Sequence, residues 1–345
     1  MTRKRINLAL QGGGAHGAFT WGVLDRILDD DEIEIAGISG TSAGALNGAA
    51  LKAGLAKGGR QGARDNLDWL WDRVGAVGDM RLTHWMNEFG PTPAMISRAM
   101  EYSLSAAIAD SATHMMSPYF YGPFYRNPLT AIVEQLDYDM VRAGEGPRFY
   151  VSATNVRTGK VRVFTAQEIT TDSILASACL PTNFKAVEID DPKTGRTEAY
   201  WDGGYSGNPA LFPLYDPTLP DDIVIVNINP LVREKVPFTP QEIENRINEV
   251  SFNSALLHDL RSINFVKRLI AEGRIARGEM KDVLVHMISD DVLMQQLNVV
   301  TKTVPNPFLL QDLKQAGRAA ADRFLADHKP ALNRAATVDL AAMFN

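Results

Sequence analysis

Two short stretches carry side chains whose type and spacing could do covalent chemistry. In Gly40-Thr41-Ser42-Ala43-Gly44 a serine stands between two glycines. An apolar run, Ile33 to Ile38, leads in, and an alanine- and leucine-rich helical pattern, Ala43 to Leu55, leads out. That order predicts a strand-to-helix turn that lifts a nucleophilic serine above a sheet. Glycine at 40 and 44 relieves the crowding of so tight a turn, and the helix N-terminus behind Ser42 favours developing negative charge. A serine hydroxyl stays a weak nucleophile until a base takes its proton. Asp202, followed by Gly203 and Gly204, is the best base: it ends a predicted strand, where open α/β sheets place their sites. A carboxylate serves as a direct base if partial burial raises its pKa towards the working pH.

Histidine is the more usual base, and the chain has six. His84, His114, His258 and His328 have no supporting glycines or acids nearby. A Ser42–Asp202–His286 order would imitate an α/β-hydrolase triad, but His286 lies inside the apolar run Val283 to Ile288 rather than on a loop beyond it. His16 is closer to the chemistry and is best placed as a helix-start residue.

A third stretch, Gln11-Gly12-Gly13-Gly14-Ala15-His16-Gly17, sits between a short apolar strand, Ile6 to Leu10, and a helical pattern, Ala18 to Leu28. N–H groups of such a loop point where an anion can sit. Gly12, Gly14 and Gly17 also satisfy G-x-G-x-x-G, and Asp31, Glu32 or Glu34 would be the acidic partner of a dinucleotide site. Against that alternative, the next strand ends in the serine turn, which a dinucleotide site does not require.

These three stretches need a scaffold that brings strand ends together. Beyond the serine helix, Gly54 to Gly62 predicts a flexible connection, followed by a helix with Leu67, Leu70, Trp71 and Val74 on one side, its tryptophans packing rather than touching ligand. Ala94 to Ile108 has a helical apolar face. Met115 to Tyr125, rich in methionine, aromatics and proline, suits either a loop folded on the core or an acyl-chain wall that touches membrane. Further strands are expected at Phe149 to Ala153, Lys160 to Phe164, Ala186 to Ile189, Glu198 to Trp201, Ile223 to Ile228 and Val283 to Ile288, and long helices from Pro240 to Glu272 and from Phe308 to Ala326. Strands alternating with helices, with Ile223 to Ile228 β-branched apart from Asn227, predict a mostly parallel sheet covered on both faces.

The 345 residues suit two domains or one large α/β unit. Apolar content of 45% and charged content of 22% describe an ordinary globular chain. A net charge of −6 and the lack of a long Lys/Arg block argue against nucleic acid as a partner. The single cysteine, Cys179, excludes an intrachain disulfide and fits a reducing compartment. No apolar run approaches a membrane span or a signal-peptide core. The expectation is a cytoplasmic protein, at most peripheral at a membrane. No set of His, Asp and Glu has metal-ligand spacing, so neither metal nor cofactor is expected.

Taken together and in order, Gly12-Gly13-Gly14-Ala15-His16-Gly17, Gly40-Thr41-Ser42-Ala43-Gly44 and Asp202-Gly203-Gly204 resemble the patatin-like phospholipases. The resemblance covers residues 6–230, which would form the catalytic core, with 231–345 a mostly helical extension carrying one further strand. It implies a three-layer α/β/α fold and a Ser–Asp dyad, with Ser42 the nucleophile, Asp202 its base, and the N–H groups of Gly12, Gly13 and Gly14 the oxyanion hole; Gly17, Gly40, Gly44, Gly203 and Gly204 support these turns. It implies lipid acyl esters as substrates, cleaved through an acyl-Ser42 intermediate. A neutral-lipid, polyester or thioester hydrolase would use the same dyad, and a non-catalytic membrane- or nucleotide-binding protein of this fold is the remaining alternative. One departure stands out: His16 occupies a position where the family usually has Arg or Lys, so loop support here is expected to be weaker or pH-dependent. Oligomeric state has no signature in the sequence.

Overall fold

In the computed structural model, which describes residues 3–77, 93, 95–97 and 117–344, the first apolar run is a strand, β1 (Lys4–Leu10), buried from Ile6 onward. The glycine loop follows, then α1 (Gly17–Ile27), β2 (Ile33–Thr41) and α2 (Ala43–Val77), so Ser42 is the one residue between β2 and α2. β3 (Arg148–Asn155) and β4 (Val161–Thr165) pair antiparallel, as do β5 (Val187–Asp191) and β6 (Arg196–Asp202), with α3 (Thr171–Ser177) between the pairs. β7 (Asp222–Val226), α4 (Pro240–Ala271), β8 (Leu284–Ile288), α5 (Val299–Thr303) and α6 (Pro307–His328) follow.

Among the described residues the strands form one eight-stranded sheet in the order β5-β6-β3-β2-β1-β7-β8, with β4 paired to β3. The run from β3 to β8 is parallel. Alternation along the central strands shows why both faces must be covered. Leu8, Leu10, Val224 and Val226 join the core of α1, α2 and α6, whereas Ala9, Ile223 and Ile225 pack with Leu256, Leu260 and Ile263 of α4. Each such aliphatic side chain removed from water contributes roughly 1.5–3 kcal/mol. The result is the three-layer α/β/α architecture expected from the sequence.

The pairing of β3 places the functional strand ends. Its residues 150–154 pair with β4, and at Ala153 it pairs simultaneously with Arg162 of β4 and Asp202 of β6. β4 and β6 therefore lie on opposite edges of β3. β2 pairs with residues 148–152 while β4 also occupies 150–152, so β2 and β6 share an edge. β2 stops at Thr41, β3 continues, and β6 comes in from the other direction to end at Asp202. The end of one strand thus meets the end of the other, with Ser42 and Asp202 at the junction.

The expected flexible connection at 54–62 is a helical hairpin instead. α2 reverses at Gly58-Gly59, where Gly59 has φ 61 and ψ −146. Its arms run back along each other: Asn66 Nδ2 donates to the Ala50 carbonyl, Trp71 Nε1 donates to Asn47 Oδ1 at 2.9 Å, and Gly54 faces the backbone of Gly62 and Ala63. Gly54 and Gly62 are small residues at the crossing of the arms, whereas Gly58 and Gly59 form the reversal. Most of the helix expected over 94–108, and Met115 and Met116, lie outside the described residues.

Residues beyond 230 are built into the same sheet and core. β8 extends the sheet past β7, and α6 crosses α1 so closely that the Lys314 carbonyl faces Gly22 and the Phe19 carbonyl faces Gly317. Asn306 caps α6 through the N–H groups of Phe308 and Leu309, with Pro307 at the first helical position.

Candidate active site

Ser42 carries φ 54, the left-handed region that an L-residue adopts only when its surroundings enforce it. The enforcement is visible. A Cβ on Gly44 would collide with the Leu10 carbonyl oxygen, and one on Gly12 would lie 2.7 Å from Ser42 Cβ. The Ser42 N–H donates to Ser177 Oγ at 2.9 Å, and Ser177 donates to the Ser152 carbonyl at 2.7 Å, tying the turn to α3 and β3. The Ser42 carbonyl accepts the first helical bonds, from Ala45 and Leu46 N–H, so the hydroxyl is carried at the positive end of α2.

Asp202 is fully buried. Its Oδ1 accepts from Gly204 N–H at 2.7 Å, its N–H donates to the Cys179 carbonyl, and its carbonyl accepts from Thr154 Oγ1. Burial pushes the carboxyl pKa up to about 7, only partly offset by hydrogen bonds from Gly204 N–H and the Ser42 hydroxyl. Oδ2 has no partner of ordinary hydrogen-bond geometry. No full hydrogen bond therefore joins Ser42 to Asp202.

The glycine loop lies beside both. Its three glycines are not equivalent. The Gly12 N–H donates to Asn208 Oδ1 at 2.6 Å, which removes it from the expected trio of oxyanion donors. Gly13 and Gly14 N–H have no acceptor among the described hydrogen bonds, and Gly14 lines the cleft with Ser42. Gly17 starts α1 against Ala43 and Trp71. Asn208 is itself placed by β2, whose Ser39 and Thr41 hydroxyls donate to the carbonyls of Ala210 and Gly207, each at 2.6 Å.

Above the turn is a cleft of about 130 Å³, open to solvent and lined by Ser42, Gly14, Leu46, Trp71, Leu129 and Phe184 among others. Its wall is largely apolar. Trp71, expected only to pack, does both jobs: it stacks on Trp21 with centroids 6.3 Å apart and walls the cleft. The described part of the aromatic segment, 117–125, stands over the adjoining loop. Tyr119 OH accepts from Ala186 N–H, and Lys185 Nζ donates to the Gly122 carbonyl at 2.7 Å. Tyr119 and Phe120 are 60% and 74% exposed.

The alternatives fare differently. His286 of β8 is bound to Asp222 of β7 and to Thr337; β7 and β8 lie across β1 from β3 and β6, away from Ser42. Asp31, Glu32 and Glu34 lie at the start of β2, opposite the glycine loop, in ion pairs with Arg60, Lys329 and Arg5. A dinucleotide site needs its acid at the other end. His16 is buried and neutral: burial and the charge of Lys302 hold its pKa well below the ordinary value. Among the described residues no group of three or more His, Cys, Asp or Glu could hold a metal ion, and no helix is long and apolar enough to cross a membrane.

Ser177, Asn208, Asn229 and Lys302 were not legible as site residues. The only hint was polar Asn227 and Asn229 breaking the apolar run at the end of β7.

A strained serine under a largely apolar cleft, at the strand ends of a mostly parallel α/β sheet, is the geometry of a nucleophile turn. Over residues 8–215 the chain matches the patatin-like phospholipases, and it belongs to that family. No curated protein is a significant match. Among solved structures, VipD from Legionella pneumophila is 15% identical, with 94% of this chain and 67% of that one covered and a TM-score of 0.44. The heterodimeric ExoU–SpcU complex from the type III secretion system of Pseudomonas aeruginosa is 17% identical, with 96% and 61% covered and a TM-score of 0.29. Both likenesses are distant, and the assignment rests on the family match.

Proposed function

We propose that this chain is a phospholipase A- or lysophospholipase-like acyl hydrolase with Ser42 as nucleophile and Asp202 as its base. The observation that carries the proposal is Asp202: a buried carboxylate with pKa about 7, at the strand junction with Ser42, whose hydroxyl is the one side-chain donor acting on it. Such a group is ionised often enough to accept a proton and basic enough to want it.

The reaction follows from the geometry. Ser42 Oγ attacks the ester carbonyl carbon as its proton passes to Asp202. Negative charge on the carbonyl oxygen is met by the N–H groups of Gly13 and Gly14 and the N-terminal end of α2. The tetrahedral intermediate collapses, the C–O bond to the alcohol breaks, and Asp202 returns the proton to the leaving oxygen. Water then attacks acyl-Ser42, giving its proton to Asp202, and the fatty acid leaves as the proton returns to Ser42. No metal takes part in this scheme.

The apolar cleft supports a long acyl chain in preference to a short polar one, and exposed Tyr119 and Phe120 beside it suit contact with a lipid surface. We place the enzyme in the cytoplasm, meeting lipid peripherally. Neutral-lipid, polyester and thioester substrates would use the same groups, and phospholipid is favoured by family membership. The test is product analysis by mass spectrometry after incubation with phosphatidylcholine vesicles. Free fatty acid and lysolipid are expected from wild type and neither from Ser42→Ala. Equal release by Ser42→Ala would overturn the assignment, and hydrolysis of thioesters or neutral lipids alone would replace the substrate.

A further inference from the structure

The glycine loop is held from behind by a buried array of amides that ends on one cation. Gln11 Oε1 accepts from the N–H groups of Ile228 and Asn229 at 2.9 and 3.1 Å, and Gln11 Nε2 donates to Asn253 Oδ1. Asn229 Nδ2 donates to the Gly12 carbonyl at 2.9 Å, while Asn208 takes the Gly12 N–H. Lys302, from α5, donates through Nζ to Asn229 Oδ1 at 2.8 Å and Asn248 Oδ1 at 2.7 Å. The carbonyl of the same Lys302 fills the space where a side chain on Gly14 would stand. One residue therefore acts on both ends of the Gly12–Gly14 segment.

The loop has no charge of its own to do this. The Thr301 hydroxyl donates to the Asn298 carbonyl at 2.8 Å, so the 2.8 Å contact with His16 assigns the proton to His16 Nε2, in a neutral ring. The other charges facing Lys302 are Glu249, bound at 2.6 Å by Arg233 and at 3.2 Å by Arg246. Lys302 is also the one ionisable residue among the described residues lining the Ser42 cleft.

We propose that Lys302 is a positioning residue for the acyl-transfer reaction, its ammonium acting through Asn229 to hold the glycine loop with the Gly13 and Gly14 N–H groups towards the oxyanion. This rests on the Ser42 and oxyanion assignment above. A charged donor polarises the Asn229 amide and strengthens its bond to the Gly12 carbonyl, an effect that a low-dielectric interior enlarges. Burial brings the Lys302 pKa down to about 8. The ammonium is therefore lost just above neutrality, and the loop with it loosens.

Steady-state kinetics on a soluble short-chain ester, from about pH 6 to 10, test the proposal with active sites counted by fluorophosphonate. Wild type is expected to lose rate as pH rises through about 8. Lys302→Met should lower kcat roughly 10- to 100-fold, the scale of a misplaced donor, with KM changed less than about twofold. Lys302→Arg, which stays charged, should keep most of the rate and lose the alkaline fall. A wild-type kcat in folded Lys302→Met, or an unchanged alkaline fall in Lys302→Arg, overturns the proposal. If Lys302→Met does not fold, the Lys302→Arg profile decides, and if neither folds, a flat wild-type profile through pH 8 is the contrary result. Activity surviving in Ser42→Ala would instead remove the nucleophile assignment and leave the loop architecture untouched.

Discussion

At the scale of single residues, the proposed chemistry depends on a carboxylate kept where it is uncomfortable. The folded pKa of Asp202 is about 7, above the ordinary 3.8. Between about pH 4 and 7 the folded protein holds the proton more tightly than the unfolded chain, so the stability contributed at Asp202 falls as pH rises through that window. Asp202→Asn removes the buried charge and should raise the melting temperature by several degrees at pH 8, with up to about 4 kcal/mol at stake. The gain should shrink towards pH 4; a variant less stable than wild type at pH 8 would mean that the carboxylate is better solvated than its burial implies. Ser177 is the other residue-scale test. Ser177→Ala leaves the Ser42 N–H and the Ser152 carbonyl without their partner, costing about 1–3 kcal/mol, and should lower kcat more than KM. Ser42, Asp202 and the glycines were legible in the sequence because each belongs to a short motif whose members are chain neighbours. Ser177, Asn208, Asn229 and Lys302 were not, because a lone serine, amide or lysine carries no local pattern and becomes a site residue only when distant segments meet.

At the scale of elements, two turns carry the argument. The β2–α2 turn has no room to relax: a Cβ on Gly44 meets the backbone of β1, not a movable side chain. Gly44→Ala should therefore destabilise by roughly 3 kcal/mol or more and abolish activity in whatever remains folded, as seen by thermal melts and ester assays. The Gly58-Gly59 reversal makes a contrasting case. Gly59 has a backbone conformation nearly reserved for glycine but open space around it. Gly59→Ala should cost roughly 1–3 kcal/mol while kcat per folded molecule stays within about twofold, since the strain sits at the far end of the hairpin from Trp71 and Asn47. Strands and helices were largely legible from their periodicity, which reports burial on one face or both. The hairpin was not, because a glycine cluster looks the same whether it loosens a linker or lets two helix arms touch. Nor was the shared edge of β3, since strand pairing is a property of register and not of any one strand.

At the scale of the whole molecule, the last hundred residues complete the sheet, cover α1 and brace the glycine loop. A chain ending at residue 282 would expose the β7 edge and the apolar face of α1, and is expected to be insoluble or to lack a cooperative melt; a folded, active fragment would show that the residues after 282 are dispensable. Lipid contact belongs to this scale too. Tyr119→Ala/Phe120→Ala should weaken vesicle sedimentation and vesicle hydrolysis about tenfold while leaving soluble-ester kcat/KM within about twofold. The chain's net negative charge makes an apolar contact the expected one, so vesicle binding should change little with salt. All of this serves one claim, that Ser42 is made nucleophilic by Asp202. The rate of covalent labelling by a fluorophosphonate, followed against pH with the adduct located by peptide mass spectrometry, tests it most directly. The account predicts a single adduct on Ser42, a rate that rises with pH through about 7 as Asp202 ionises, and labelling at least about 100-fold slower in Asp202→Asn. An adduct on another residue, or equal labelling rates in wild type and Asp202→Asn, would contradict it.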